Sequence, residues 1–391
     1  MAKRIWTHEE MKAAADGDIQ RMTMLSRRSI VQGGLAVAGG ALMAPFLPHN
    51  ARAAVGGEIH TFTWEGFDNI EPTKEWAAKN GVTIINGSMA TQDDVQAKLV
   101  GGSPVRLDVT SFNQAYNHFY ADELKIIQPL EMTKIPNYNE KDVFDPFFQK
   151  ASWYWDSTQW GIPFCWGLMG LVYNPKLMPT PKSYTELLKP EYKGKIAIVD
   201  DMTGTWPVLA KLGGVDTFPN VTKDELAKIF EHAKLYRDQC KTFAASNGDV
   251  ASLLVSGDIV ACLSVGTNVT VDTKRQGVET LYAIPEEGSV LWSDALCIPK
   301  SAANVDTAYA FINENMAGPV QAAMAKRNVC GAITRTATSF MDPDTKALFD
   351  YDNLEALLKN TPLLGIPPRE SADLATYDEW VQAYEGLKSG I

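Results

Sequence analysis

Histidine and cysteine are scarce in this chain of 391 residues, with five of each. Beyond residue 53 only His60, His118 and His232 remain, and none stands near a second histidine or a cysteine at ligand spacing, which argues against a metal site. Cys165, Cys240, Cys262, Cys297 and Cys330 lie far apart with no CxxC spacing, which disfavours zinc ribbons and thioredoxin-like motifs. An oxidising compartment permits one disulfide, with Cys240 and Cys262 as the candidate pair, and the odd count leaves a thiol to serve as a small apolar residue. There is no GxSxG elbow, no GxxxxGKS/T loop, and no GxGxxG opening a helix after a strand. No cofactor is expected. An enzyme would have to rely on paired carboxylates such as Asp200 with Asp201 or Glu286 with Glu287, and neighbours on a strand point to opposite faces.

Long apolar runs are also missing, with one exception. Ser26-Arg27-Arg28-Ser29 precedes the uncharged stretch 30–47, and Ala51-Arg52-Ala53 offers the small residues a signal peptidase needs. The paired arginines and the Gly33, Gly34, Gly39, Gly40 core have the form of a twin-arginine export signal over residues 1–53, with the mature chain starting near Ala54. A membrane anchor is the alternative, but Pro45, Pro48 and the cleavage site interrupt the place where it should continue. The leader holds seven of the 36 basic and four of the 47 acidic residues, so 29 and 43 remain, a net charge of −14. Such a surface repels nucleic acid and anionic lipid and concentrates cationic solutes.

About 338 residues then remain, more than one core usually serves, so two domains are expected. Strands at 58–64, 82–86 and 107–110 alternate with helices at 71–80 and 93–100, the order of a parallel sheet covered on both faces. Ligands gather at the carboxyl ends of such strands, here 64–68, 88–92 and 111–113. The alternation restarts after the aromatic stretch 153–166, with strands at 168–173, 195–199, 259–264 and 280–284 and helices at 184–188, 205–212 and 223–239. No repeat or flexible linker separates the halves, so several crossings should join them.

Four segments carry a resemblance: Gly161-Ile162-Pro163-Phe164-Cys165-Trp166-Gly167, then 188–195 (LKPEYKGK), then Val199-Asp200-Asp201, then 291–299 (LWSDALCIP). In that order, behind an export signal, they resemble the polyamine-type periplasmic binding proteins of ABC importers. The resemblance implies an α/β fold of two doubly wound lobes joined by a multi-strand hinge, the type II binding-protein fold. Residues 56–167 and 293–336 would form the first lobe and 168–292 and 337–391 the second. It implies a monomeric periplasmic receptor, not an enzyme, that closes on a solute and delivers it to membrane permease subunits; hinge closure of periplasmic binding proteins is a standard example of a ligand-driven transition.

The resemblance also assigns a site. Asp294 would receive a primary ammonium, with Trp292 and Trp64 facing the ligand's stem and charged ends. Asp201 would supply a second acid, Phe67 a stacking ring without the usual hydroxyl, and Asn113 a small polar contact. Core packing for the tryptophans and helix capping for Asn113 are the plainer readings. Three departures stand out: Gly204 where another carboxylate is common, Ser264 where a tryptophan is, and no aromatic near Cys330-Gly331. A long triamine such as spermidine is therefore disfavoured against a putrescine-like diamine. The alternative is a zwitterion such as 4-aminobutyrate, whose carboxylate would need Arg327, Arg335 or the N–H groups of Thr203-Gly204-Thr205. A periplasmic hydrolase is the remaining alternative.

Overall fold

The computed structural model describes residues 55–89, 92–100, 105–150, 152–358 and 361–390. The export signal expected over residues 1–53 lies outside the described residues. Among the described residues no helix is long and apolar enough to cross a membrane.

Strand β1 (Gly57–Trp64) is followed by helix α1 (Ile70–Asn80), β2 (Val82–Met89), α2 (Gln92–Val100) and β3 (Val109–Asn113). β1 pairs in parallel with both β2 and β3, as βαβ crossovers require. Helix α1 starts where the Asp68 carboxylate accepts the Ile70 N–H at 2.9 Å, and it stops at Gly81, whose φ of 63° suits the left-handed cap.

Two long antiparallel strands carry the chain between lobes. β4 (Ile162–Tyr173) is twelve residues long and almost wholly buried. Its first half pairs with β9 (Val290–Cys297), and its second half pairs with β7 (Ala261–Val265) and the short β8 (Leu281–Ala283). β5 (Ile196–Val199) and β6 (Cys240–Ala244) complete the series, giving the order β2-β1-β3-β9-β4-β7-β5-β6. Four helices serve the second lobe's strands: α3 (Met202–Leu212), α4 (Lys223–Gln239), α5 (Asn247–Ser256) and α6 (Asn268–Arg275). α4 begins in a reciprocal Thr222–Glu225 capping box. Helices α7 (Val305–Asn315) and α8 (Gly318–Asn328) return to the first lobe, and α9 (Tyr377–Ser389) packs on the second.

The buried apolar residues fall into separate clusters on either side of the crossing strands. Ile59, Val109, Phe164, Ile298, Phe311 and Met324 share one; Leu171, Ile198, Leu209, Ile229, Leu263 and Trp380 share another. The first of these also takes in Phe349, Tyr351 and Leu354. The Phe349 ring lies 4.4 Å from that of Trp166, and Tyr351 stacks on Phe144 at 5.6 Å. The final return to the second lobe therefore comes between 354 and 364, later than the boundary at 336 that the sequence suggested, because these rings complete the packing around Trp166. The candidate disulfide also fails on topology. Cys240 is on β6 and Cys262 on β7, with β5 between them, about 9.5 Å apart across two strand spacings and beyond the reach of a bond. All five cysteines are free thiols.

Candidate functional site

Trp292 and Asp294 are two residues apart on β9, so their side chains share one face of the crossing strand. Asp294 stands opposite Asn113 at the end of β3, and the Asn113 amide donates to its carboxylate at 3.0 Å. The same Asn113 caps the following turn by accepting the Ala115 N–H at 3.0 Å. The oxygen of this amide thus serves as the cap and its nitrogen is committed to Asp294. Only 4% of Asp294 is exposed. Burial pushes its carboxyl up to about 7, with the Asn113 hydrogen bond opposing the shift. Among the described residues no lysine or arginine pairs with it.

The Trp292 ring lies against the backbone of Gly167, where a β-carbon would come within 2.5 Å of it. That close approach explains a glycine in the middle of a buried strand. Trp292 is half-buried and touches the cores of both lobes. Trp64 ends β1, with its backbone N–H toward the Ser111 hydroxyl at 3.4 Å and its indole N–H buried without a hydrogen-bond partner. Phe67 follows in the same turn and meets Phe164 edge to face at 6.1 Å.

Asp201 belongs to the other lobe. It is the N-cap of α3, accepting the Thr203 N–H at 3.0 Å, and the Gly204 N–H also points at its carboxylate. Its side chain is exposed. Desolvation by the protein on its inner side still raises its pKa, with the Gly204 and Thr203 N–H groups opposing and Asp200 adding to the rise. Asp200 itself is paired with Lys388 at 2.9 Å. A β-carbon on Gly204 would meet Asp201 at 2.7 Å and Met169 at 2.7 Å, so the missing carboxylate of the sequence comparison would be forced onto Asp201. Asp294 is opposite Cys165 on β4 and Met169 lies four residues farther along that strand, about 13 Å at the usual rise. The two acids are therefore set at different places along the crossing strands, one reached from each lobe.

Ser264 sits elsewhere than a wall of the site. It is the extra residue of a bulge in β7 opposite Gly170 and Leu171, at φ 59°, fully buried, with its hydroxyl donated to the Gly204 carbonyl at 2.9 Å. Near Gly331 the space an aromatic side chain would need is filled by the Trp166 ring, 2.0 Å from a β-carbon position. Arg327 forms a forked pair with Asp68 at 3.1 and 3.0 Å, and Arg335 pairs with Asp145 at 2.6 Å.

Gln114 carried no sequence signal. It is buried beside Asn113, donates to the carbonyls of Leu291 and Leu364 at 3.3 and 3.2 Å, and accepts the Ser293 N–H at 2.6 Å. One amide thus ties the end of β3 to two chain crossings.

Residues 73–350 match the family model described as bacterial extracellular solute-binding protein. The spermidine/putrescine-binding periplasmic protein 1 of Haemophilus influenzae is 24% identical over 267 residues, covering 67% of this chain and 71% of that one. The putrescine-binding periplasmic protein SpuD of Pseudomonas aeruginosa is 25% identical over 293 residues, covering 67% and 74%. The solved spermidine/putrescine ABC transporter substrate-binding protein PotD of Streptococcus pneumoniae superposes with a TM-score of 0.69 at 18% identity, over 84% of this chain and 97% of that one. With its type II binding-protein fold, the chain belongs to the bacterial extracellular solute-binding proteins and is a homologue of the periplasmic substrate-binding subunits of ABC importers.

Proposed function

We propose that the solute is a short diamine of the putrescine type, captured between the lobes with one ammonium on Asp294 and the other on Asp201. The observation that carries this reading is the state of Asp294: a buried carboxylate, raised by burial and without a cationic partner among the described residues. An ammonium supplies the missing countercharge, and it gains most where water is excluded. Trp292, Trp64 and Phe67 sheathe the methylenes, and an indole face adds about 0.5–2 kcal/mol to a nearby cation. Asn113 orients the first acid, and Ser264 acts indirectly by holding the Gly204 carbonyl.

The groups that would take a ligand carboxylate are committed elsewhere, Arg327 to Asp68, Arg335 to Asp145, and the Thr203 and Gly204 N–H groups to Asp201. That favours the diamine over 4-aminobutyrate. The relatives bearing putrescine in their names support the same solute class. The receptor works as a monomer, exported by the twin-arginine route that Arg27 and Arg28 suggest, and hands its solute to permease subunits. A thermal-shift panel of putrescine, spermidine and 4-aminobutyrate tests the ligand class, since a solute that binds only the folded chain raises its melting temperature by mass action. A shift with 4-aminobutyrate and none with putrescine would reverse the assignment.

A further inference from the structure

Two side-chain contacts outside the site reach from one lobe to the other. Arg369 precedes α9 in a part of the chain whose Leu364, Ala375 and Trp380 lie in the second lobe's core. Its guanidinium is 3.9 Å from the ring centre of Tyr377 on its own lobe and 4.9 Å from that of Phe119, which packs on the first. Arg369 is exposed, and among the described residues it makes no ion pair. The two rings are what hold it. The second contact is on another loop. Thr267, between β7 and α6, donates its hydroxyl to the Val329 carbonyl at 2.7 Å. Val329 ends α8 on the first lobe at φ 53°, a left-handed conformation rare for a β-branched residue. Its carbonyl is turned to the second lobe at the cost of an unfavourable backbone.

We propose that Arg369 and Thr267 form a latch that draws the lobes together without solute and sets the fraction of unliganded receptor that is closed. The proposal rests on the reading that closure captures the solute. Apparent affinity is the intrinsic affinity scaled by the competent fraction, so a loosened latch weakens every solute by the same factor. A residue that touched the solute would instead discriminate between solutes.

The test uses the full exported chain, its Arg369→Ala, Thr267→Val and Phe119→Leu variants, and the Arg369→Ala/Phe119→Leu double variant. Small-angle scattering is recorded without solute, and putrescine and spermidine are then titrated. The latch predicts a radius of gyration a few per cent above the roughly 20 Å of a compact chain of this length in each variant. Affinities for both amines should fall by one common factor, about two- to thirtyfold for Arg369→Ala, the range of a cation–π contact. The double variant should lose little beyond Arg369→Ala, because both substitutions break the same contact. Unchanged scattering in all variants overturns the latch, and so does a loss for one amine only, which would place Arg369 against the solute. If wild type binds neither amine, the diamine reading fails while the scattering still decides the latch.

Discussion

Replacing Asp294 with asparagine should make the empty receptor more stable and the receptor useless. In the folded chain the Asp294 carboxyl is pushed up to about 7 from an ordinary value of 3.8. An acid with a raised folded pKa binds its proton more tightly in the native state, so stability is highest at low pH. It falls as pH rises from 3.8 through 7, and above 7 the full cost is present. A shift of about three pK units is of the order of 4 kcal/mol. Asparagine keeps the Asn113 hydrogen bond, since its carbonyl oxygen still accepts, but it buries an amide whose new N–H groups cost roughly 1–3 kcal/mol if left unpaired. The net expectation at pH 8 is a gain of about 1–3 kcal/mol, read as a few degrees in melting temperature. Below pH 4 the order should reverse, because the wild-type carboxyl is then neutral in both states. Calorimetry from pH 3 to 9, in buffers free of primary amines, measures this directly. Melting curves of wild type and Asp294→Asn that stay parallel across that range would show that Asp294 is not held as a costly buried acid, and the argument for an ammonium partner would lose its basis.

Asp201→Asn keeps the N-cap on Thr203, so the fold should hold while putrescine affinity drops by about thirtyfold or more, the cost of removing one member of a charge pair that solute capture would bury; a loss under threefold by calorimetry would take Asp201 out of the site. Gly167→Ala pushes a methyl into the Trp292 ring, and quenching of the tryptophan emission change on titration, with at least tenfold weaker binding, is the expected result. Gln114→Ala strands the Leu364 carbonyl and the Ser293 N–H and leaves the Leu291 carbonyl with the Leu364 N–H alone, at about 1–3 kcal/mol for each buried group left unpaired, so a large fall in melting temperature is expected even without solute. A Gln114→Ala protein melting within a degree of wild type would show that this amide does not hold the crossing.

The first βαβ unit was legible in the sequence because its signals are local: short β-rich runs at 58–64 and 82–86 on either side of a helical stretch at 71–80. The pair Trp292 and Asp294 was singled out through the family resemblance, and the strand that puts both on one face is a finding of the structure. The strand at 240–244 and the helices at 247–256 and 268–275 were not read, since their apolar residues repeat weakly and their partner β5 is forty residues away. The lobe boundary was misplaced because Phe349 and Tyr351 join the first core through Trp166, a contact across nearly two hundred residues that no local pattern records. Ser264 was read as a wall residue from its position in a comparison. Its left-handed backbone and its bond to the Gly204 carbonyl, which turn it inward, are properties of the bulge and not of the serine. Gln114 and Arg369 gave no signal because a glutamine after a strand and an arginine in a loop are ordinary surface choices.

The central claim is that a buried Asp294 without a cationic partner among the described residues, together with an exposed Asp201, selects a short diamine. Isothermal titration of the exported chain at pH 8 with putrescine, repeated with spermidine and with the Asp294→Ala variant, tests it most directly. The account predicts putrescine binding at least tenfold tighter than spermidine, because a third ammonium would be desolvated without a carboxylate, and no measurable binding to Asp294→Ala. Spermidine outcompeting putrescine, or an Asp294→Ala protein that keeps its affinity within fivefold, would contradict it.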